Sequence, residues 1–458
     1  MTGGIADLAP VVRRREQRAW YWYDWANSGY VTTVATVLFA PYLISVAEQA
    51  ACGYVGTVDR ACTTDLSVLG LAVSPGSLVA YVVTVATIVS ALVLPVVGAA
   101  ADRSSRKPTV MAGFAWTGSL ATGLMWFVTG SSWELGAALL FVANICLGSS
   151  LVVYDAILCE IATPDERDRV SSRGWAMGYL GGGLLLAVNL AMVTLHDSLG
   201  LSTSTAVRLS LVTAALWWAG FTWIPYLRVR DRPAQGAVPS GAGLFGRSFG
   251  QLFATLRDLR RYPVTLTFLL AYLFYNDGIQ TVIVSASTYG EKELGFGTST
   301  LIATILLVQF VAFGGALLFG KAAERLGART VILVGLGIWV LIVAVAFVLP
   351  ERQVAPFLLL AVAIGLVLGG TQALSRSFFS LLIPRGKEAE YFSLYQACER
   401  GTSWLGTLVF GLVHQITDSY RPSIVALVVF FVVGGALLAR VDPARGIREA
   451  GNTAPVVV

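Results

Sequence analysis

The stretches GAAADRSSRKP at 98–108 and GKAAERLGAR at 320–329 organise the whole chain. In each, a glycine (Gly98, Gly320) is followed after three residues by an acid (Asp102, Glu324) and then by an arginine (Arg103, Arg325), and the two glycines stand 222 positions apart. Both stretches join long apolar runs, so two helices reverse direction there within a few residues. Glycine permits the close approach that this needs. An acid is stabilised beside the N-terminus of a neighbouring helix, and an arginine beside the acid holds it by a forked hydrogen bond. Arg106 and Arg329 add positive charge to the two loops. Read this way, each loop is a latch that holds a gate closed in one state and frees it in another. The plainer reading is a basic turn, which a second copy at matching positions disfavours. Two further matches keep nearly the same offset: Leu147-Gly148 with Leu368-Gly369 and Asp155 with Arg376 at 221, and His196 with His414 at 218. The chain therefore reads as two copies of one unit.

Composition names the solvent that these units face. Of 458 residues, 56% are hydrophobic and only 13% charged, about half the charged share of a soluble domain. Twelve apolar runs, at 23–47, 77–101, 109–129, 134–158, 174–196, 206–227, 264–288, 299–320, 330–349, 355–382, 392–416 and 423–440, are each long enough to span a bilayer, which takes about 20 helical residues. They are uniformly apolar rather than alternating, which excludes a membrane β-barrel. The expectation is an all-α integral membrane protein of twelve transmembrane helices in two pseudo-symmetric six-helix halves, 1–228 and 263–440. A Pro- and Gly-bearing linker at 229–262 separates the halves, and a tail at 441–458 follows them. Two histidines leave little for a zinc or iron site, so no metal and no cofactor are expected.

Arginine and lysine set the orientation. With the N-terminus, the linker and the C-terminus inside, 25 basic residues lie in inside segments and five in outside loops, a strong positive-inside pattern. It also accounts for the net charge of +5 through anionic headgroups, without nucleic acid. Arg13, Arg14, Arg15 and Arg18 lead into Trp20-Tyr21-Trp22-Tyr23, an aromatic belt at a helix entry rather than a cleaved signal. Cys52 and Cys62 share the first outside loop. An oxidising exterior would bridge them; two free thiols in a loose loop are the other reading, and both stand.

The paired loops and the two six-span halves resemble the major facilitator superfamily over the whole chain. That resemblance implies that Asp102 faces the start of span 11 and Glu324 the start of span 5. Tyr23-Asp24-Trp25-Ala26-Asn27-Ser28-Gly29-Tyr30 in span 1, Tyr275-Asn276-Asp277-Gly278 in span 7 and Gly369-Gly370-Thr371-Gln372-Ala373-Leu374-Ser375-Arg376-Ser377 in span 10 are similar to the branch that holds the autophagy-related vacuolar amino-acid effluxer and its bacterial relatives. Tyr154-Asp155-Ala156-Ile157-Leu158 in span 4 fits as well, with Cys159 where proline is expected. The branch implies amino-acid export for its vacuolar members; its bacterial relatives are broader, and a bacterial plasma membrane is expected, with both termini cytoplasmic by the charge count.

Ionisable groups inside the membrane are costly and read as functional. Asp277 sits near the middle of span 7, with Asn276 before it and Gly278 after it. Gly278 is expected to weaken the helix and expose carbonyls to a cavity, with Asp277 carrying a proton or a substrate ammonium; packing against a neighbour is the alternative. Arg376 offers a fork to a substrate carboxylate, with Gln372 one turn away on the same face; an ion pair with Asp155 is the equal alternative. Asp24 and Asn27 share one face of span 1 and read as a substrate site or a gate, or else as a cap. Tyr272 and Tyr275 either line the cavity or pack.

These features point to a secondary transporter that moves a small polar solute, an amino acid or a related compound, by alternating access, with proton coupling open and a monomer as the working unit. No Walker-type loop is present. Efflux of drugs or other hydrophobic solutes, or a non-transporting receptor on the same fold, are the alternatives. An enzyme is not expected, because no nucleophile–base pair or metal cluster converges at one depth.

Overall fold

The computed structural model describes residues 9–56, 60, 62–68, 70–233, 248–401 and 403–458. Its helices are α1 Pro10–Tyr30, α2 Phe39–Cys52, α3 Leu78–Asp102, α4 Lys107–Leu124, α5 Trp133–Ile161, α6 Arg167–Thr194, α7 Thr203–Arg228, α8 Ser248–Leu259, α9 Pro263–Thr288, α10 Thr298–Leu326, α11 Ala328–Phe347, α12 Val354–Leu381, α13 Glu388–Gly401, α14 Ser403–Thr417, α15 Tyr420–Ala426, α16 Val428–Arg440 and α17 Pro443–Glu449. Nine helical stretches among the described residues are long and apolar enough to cross a bilayer. The expected spans at 109–129, 264–288 and 392–416 fall short of that measure, yet they are helical, as α4, α9 and α13 with α14. Ser119 and Thr122 of α4 and Asn276 and Asp277 of α9 are polar residues that lower the hydropathy and that the fold buries; the third span is built of two shorter helices, α13 of 14 and α14 of 15 residues.

Helices α1 to α7 pack on one another, as α1 with α6 and α7, and α5 with α3 and α4. Helices α9 to α16 form a second bundle, in which α10 and α11 flank α12 and α16 lies along α9. The bundles meet where α6 runs along α10 and α12, and where α13 runs along α3 and α5. One antiparallel hairpin, β1 Leu66–Val68 with β2 Leu71–Val73, lies between α2 and α3. Cys52 and Cys62 are joined by a disulfide in the loop before it.

The first span is one continuous helical rod from Pro10 to Cys52. Its middle, Val31–Leu38, is wound as a π-helix. The run VTTVATVL explains this locally. β-Branched side chains crowd the preceding turn, and threonine hydroxyls compete for backbone carbonyls: Thr32 Oγ1 donates to Ser28 O at 2.8 Å and Thr36 Oγ1 to Val31 O at 2.8 Å. Such widened turns recur at functional sites.

The linker and tail hold more structure than their composition implied. Residues 234–247 of the linker lie outside the described residues, but its second part is α8, which packs on α3. Lys387 Nζ lies 2.5 Å from Asp258 Oδ2 of α8 and the Tyr391 hydroxyl donates to the same oxygen at 3.2 Å, so α8 clasps the start of α13. In the tail, α17 packs on α9. Asn452 Nδ2 then donates to Leu381 O and Ile383 O at 2.9 and 2.7 Å, and the Val456 N–H reaches Asp165 in the other bundle at 2.6 Å.

Candidate functional site

A cavity of about 310 Å3 lies between the two bundles. Asp24, Asn27, Ser90, Asn144 and Asp155 wall it from the first bundle; Gln280, Arg376, Gln396, Glu399 and Arg400 wall it from the second. Val31 and Ala35 of the π-helical turn also line it, so the widened turn re-aims span 1 at the cavity.

Arg376 closes the cavity floor. Its Nη1 lies 3.2 Å from Asp155 Oδ1 and its Nη2 3.1 Å from Asp24 Oδ2. Nε donates to Ser171 Oγ at 2.9 Å and Nη2 to Ser171 O at 3.1 Å. The guanidinium lies over the rings of Trp20, Tyr154 and Trp175 at 4.8 to 5.5 Å. Tyr154 donates to Asp24 Oδ2 at 2.7 Å and Gln396 Nε2 to Asp155 Oδ2 at 2.8 Å. Of the two readings of Arg376, the ion pair with Asp155 is the one present, and Asp24 joins it. A fork already shared by two carboxylates cannot also grip a substrate carboxylate in this conformer. Arg376 belongs to one bundle and its anionic partners to the other, so the floor is also a lock between them.

Below the floor the bundles are bonded repeatedly. Ser171 Oγ donates to Ala373 O at 2.7 Å, Ser377 Oγ to Asp168 Oδ1 at 2.5 Å and Arg167 Nη1 to Ser380 O at 2.8 Å. Asp102, the last residue of α3, adds to this seal. Its two carboxylate oxygens accept the backbone N–H groups of Ala389 and Glu390 at 2.9 Å each, which is the contact with the start of span 11 that the resemblance implied. A Cβ on Gly98 would collide with the Ala389 backbone, so only glycine lets α3 approach this closely. On α3 the cavity ends at Ser90, about 18 Å from Asp102 at helical rise; the seal is thick.

Three expectations about the loops need correction. The cation beside Asp102 is Lys107, 3.3 Å from Asp102 and 2.7 Å from Glu160, whereas Arg103 and Arg106 are exposed. The chain turns back so tightly after Asp102 that the first residue of α4, not the next arginine, faces the acid. Glu324 is exposed and bonds no helix start among the described residues. The one-turn 3-10 helix Pro164–Glu166 that leads into α6 carries the Thr163–Glu166 capping box, with Arg13 on Glu166 at 3.1 Å, and Asp168 of α6 bonds Ser377, so a second acid there meets like charge. Gly320 packs on Ser172, Arg325 is exposed, and Arg329 donates to the carbonyls of Leu438 and Ala439. The two loops are alike in sequence and unlike in use.

Of the residues that the sequence singled out, Asp24, Asn27, Asp155 and Arg376 line the cavity; Tyr272, Tyr275, Asn276, Asp277 and Gln372 are not among its lining residues. Gln372 Nε2 donates to Asn276 Oδ1 at 2.8 Å, the Tyr275 hydroxyl bonds Ser375 at 2.6 Å, and Tyr272 stacks on Tyr395 at 4.2 Å. These bonds fasten α9 to α12 and α13 behind the cavity wall. Asp277 accepts the Gly406 N–H at 2.8 Å, and its other oxygen has no hydrogen-bond partner among the described residues. Helix α9 runs unbroken through Gly278, which packs on Phe430 and Phe431; a helix so supported has no reason to open. Sequence reasoning missed Lys107, Ser171, Gln280, Gln396, Glu399 and Arg400. Glu399 and Arg400 carried a usable signal, two adjacent charges inside an apolar run; the others carried none.

The profile of the family described as vacuole effluxer Atg22-like matches residues 12–451. The chain belongs to that family. It is 30% identical to the uncharacterized MFS-type transporter YxiO of Bacillus subtilis, over 96% of this chain and 99% of that one. It is 25% identical to autophagy-related protein 22 of Yarrowia lipolytica, over 85% and 79%. Among solved structures it is similar to the proton:xylose symporter XylE bound to 6-bromo-6-deoxy-D-glucose, with a TM-score of 0.69, 11% identity and coverage of 96% and 98%. It is also similar to a bacterial homologue of the iron transporter ferroportin in an outward-facing state, with a TM-score of 0.66, 13% identity and coverage of 94% and 98%. Likeness at such low identity speaks for the fold alone, and the fold is that of the major facilitator superfamily in a multi-pass integral membrane protein. These Atg22-like relatives and folds are transporters, not enzymes.

Proposed function

We propose that the protein is a secondary transporter that moves a small polar solute, an amino acid or a related compound, by alternating access. The observation that carries this reading is the polar cavity itself, walled by both bundles and sealed at one end by hydrogen bonds between them. Rocking of one bundle against the other would break those bonds and expose the cavity at that end. The 25-to-five distribution of basic residues supports a cytoplasmic sealed end and cytoplasmic termini, and on that reading this conformer faces outward. A bacterial plasma membrane and a monomeric working unit complete the reading. The polar wall favours it over efflux of hydrophobic solutes. Counterflow of radiolabelled amino acids in proteoliposomes tests it: exchange of at least one, abolished when both bundles are cross-linked across the seal, is expected. No exchange of any amino acid or diamine by protein that is folded and reconstituted refutes it.

A further inference from the structure

Three carboxylates, Asp24, Asp155 and Glu399, and two guanidiniums, Arg376 and Arg400, line the cavity. With all five ionised the wall holds one negative charge in excess. Asp24 and Asp155 share Arg376. Glu399 is held differently: its Oε2 accepts from Gln396 Nε2 at 3.3 Å, and its backbone carbonyl accepts from Asn276 Nδ2 at 3.1 Å. Among the described residues no ion pair holds its carboxylate. The charged groups around it are Arg376 on α12, Asp24 on α1, Asp155 on α5 and Arg400 beside it on α13. The phenols of Tyr179, Tyr272 and Tyr395 also face it, from α6, α9 and α13. A half-buried carboxylate that no ion pair holds is costly to keep charged, and it lines the cavity, where a cation can reach it.

We propose that Glu399 is the cation site of the cavity, holding either a proton or the ammonium group of an amine-bearing solute, each excluding the other. The proposal rests on the transport reading above and narrows its substrate class to solutes with a net positive charge, such as basic amino acids or diamines. The exchange balances: an ammonium arrives, the O–H bond of the Glu399 carboxylic acid breaks, and the proton leaves to cavity water. Charge in the cavity is unchanged, so the solute and the proton move in opposite directions over a cycle. Asp24 and Asp155 are poor candidates for the same role, because each already faces Arg376.

The test is calorimetric binding of lysine, cadaverine and leucine to the purified full chain at several pH values between about 5 and 8. Lysine or cadaverine should bind more tightly than leucine. Their affinity should rise by up to about tenfold per pH unit, with one proton released on binding. Glu399→Gln should remove the pH slope and the proton release and weaken amine binding at least tenfold; Glu399→Asp should retain all three. Leucine binding as tightly as lysine overturns the proposal. So does amine binding without proton release, an unchanged slope in a folded Glu399→Gln protein, or failure of both amines to bind. Counterflow of the same solutes separates the two readings. Amine binding with proton release but no exchange sinks the transport reading, and exchange of leucine alone sinks this one.

Discussion

Replacing Asp102 by Asn keeps the shape of the latch and removes its charge. Asp102 is buried and accepts two N–H groups of α13, each at 2.9 Å, while Lys107 stands 3.3 Å away. Hydrogen bonds to a charged acceptor contribute about 1.5–3 kcal/mol each. The amide keeps one oxygen as a neutral acceptor, worth about 1 kcal/mol, and turns an NH2 towards the other N–H. The net loss is about 2–5 kcal/mol, borne only by the conformer in which α3 and α13 meet. That shifts the balance between closed and open ends by a factor of about 30 to a few thousand. Spin labels at Arg103 and Arg385, exposed residues of opposite bundles near the latch, would report it in a background without the three free cysteines. The parent should show one short distance; Asp102→Asn should add a longer population that dominates, and transport should slow because return to the closed end becomes uphill. An unchanged distance distribution in the Asp102→Asn protein would show that the carboxylate is not a latch and that packing alone seals this end.

Three further outcomes follow from the same geometry. Gly98→Val should open the closed end as strongly as Asp102→Asn, because its side chain would meet the Ala389 backbone; normal transport by that variant would mean that α3 and α13 do not approach so closely. Arg376→Ala strands Asp24 and Asp155 in a buried site and should cost about 3–5 kcal/mol, read as a large fall in thermal unfolding temperature, with Arg376→Lys in between; equal stability of all three proteins would contradict the lock. Asp277→Asn should leave uphill transport intact, since the amide oxygen still accepts the Gly406 N–H, whereas loss of pH-driven uphill movement with exchange preserved would restore Asp277 as the coupling acid.

Hydropathy, charge and repeat offset are properties of residue order, and they carried the architecture a long way. The paired Gly98 and Gly320 loops located the helix reversals, and the approach of Gly98 to Ala389 follows from the glycine. Intramembrane charge singled out Arg376 and Asp155, which meet across the bundles. Asp277 carried the same signal and lies behind the wall. The difference is angular: a helix turns about 100° per residue, so whether a polar side chain faces a cavity or a neighbouring backbone depends on how the helix is rotated in its bundle. Nothing in span 7 alone sets that rotation; the packing of Gly278 on Phe430 and Phe431 does.

The repeat shows the same division. Asp102 and Glu324 occupy equivalent places in the order of residues, yet only Asp102 caps a helix. The surroundings decide, because the turn leading into α6 already carries the Thr163–Glu166 capping box and Asp168 already puts a carboxylate there. Spans, their reversal points and the side richer in positive charge could be read before any fold was known, since each depends on neighbours along the chain. The partners of Lys107, the widened turn of span 1 and the gathering of Asp24, Asp155, Glu399, Arg376 and Arg400 around one cavity depend on neighbours through space. A carboxylate is a lock, a cap or a cation site according to which donors the other helices bring to it.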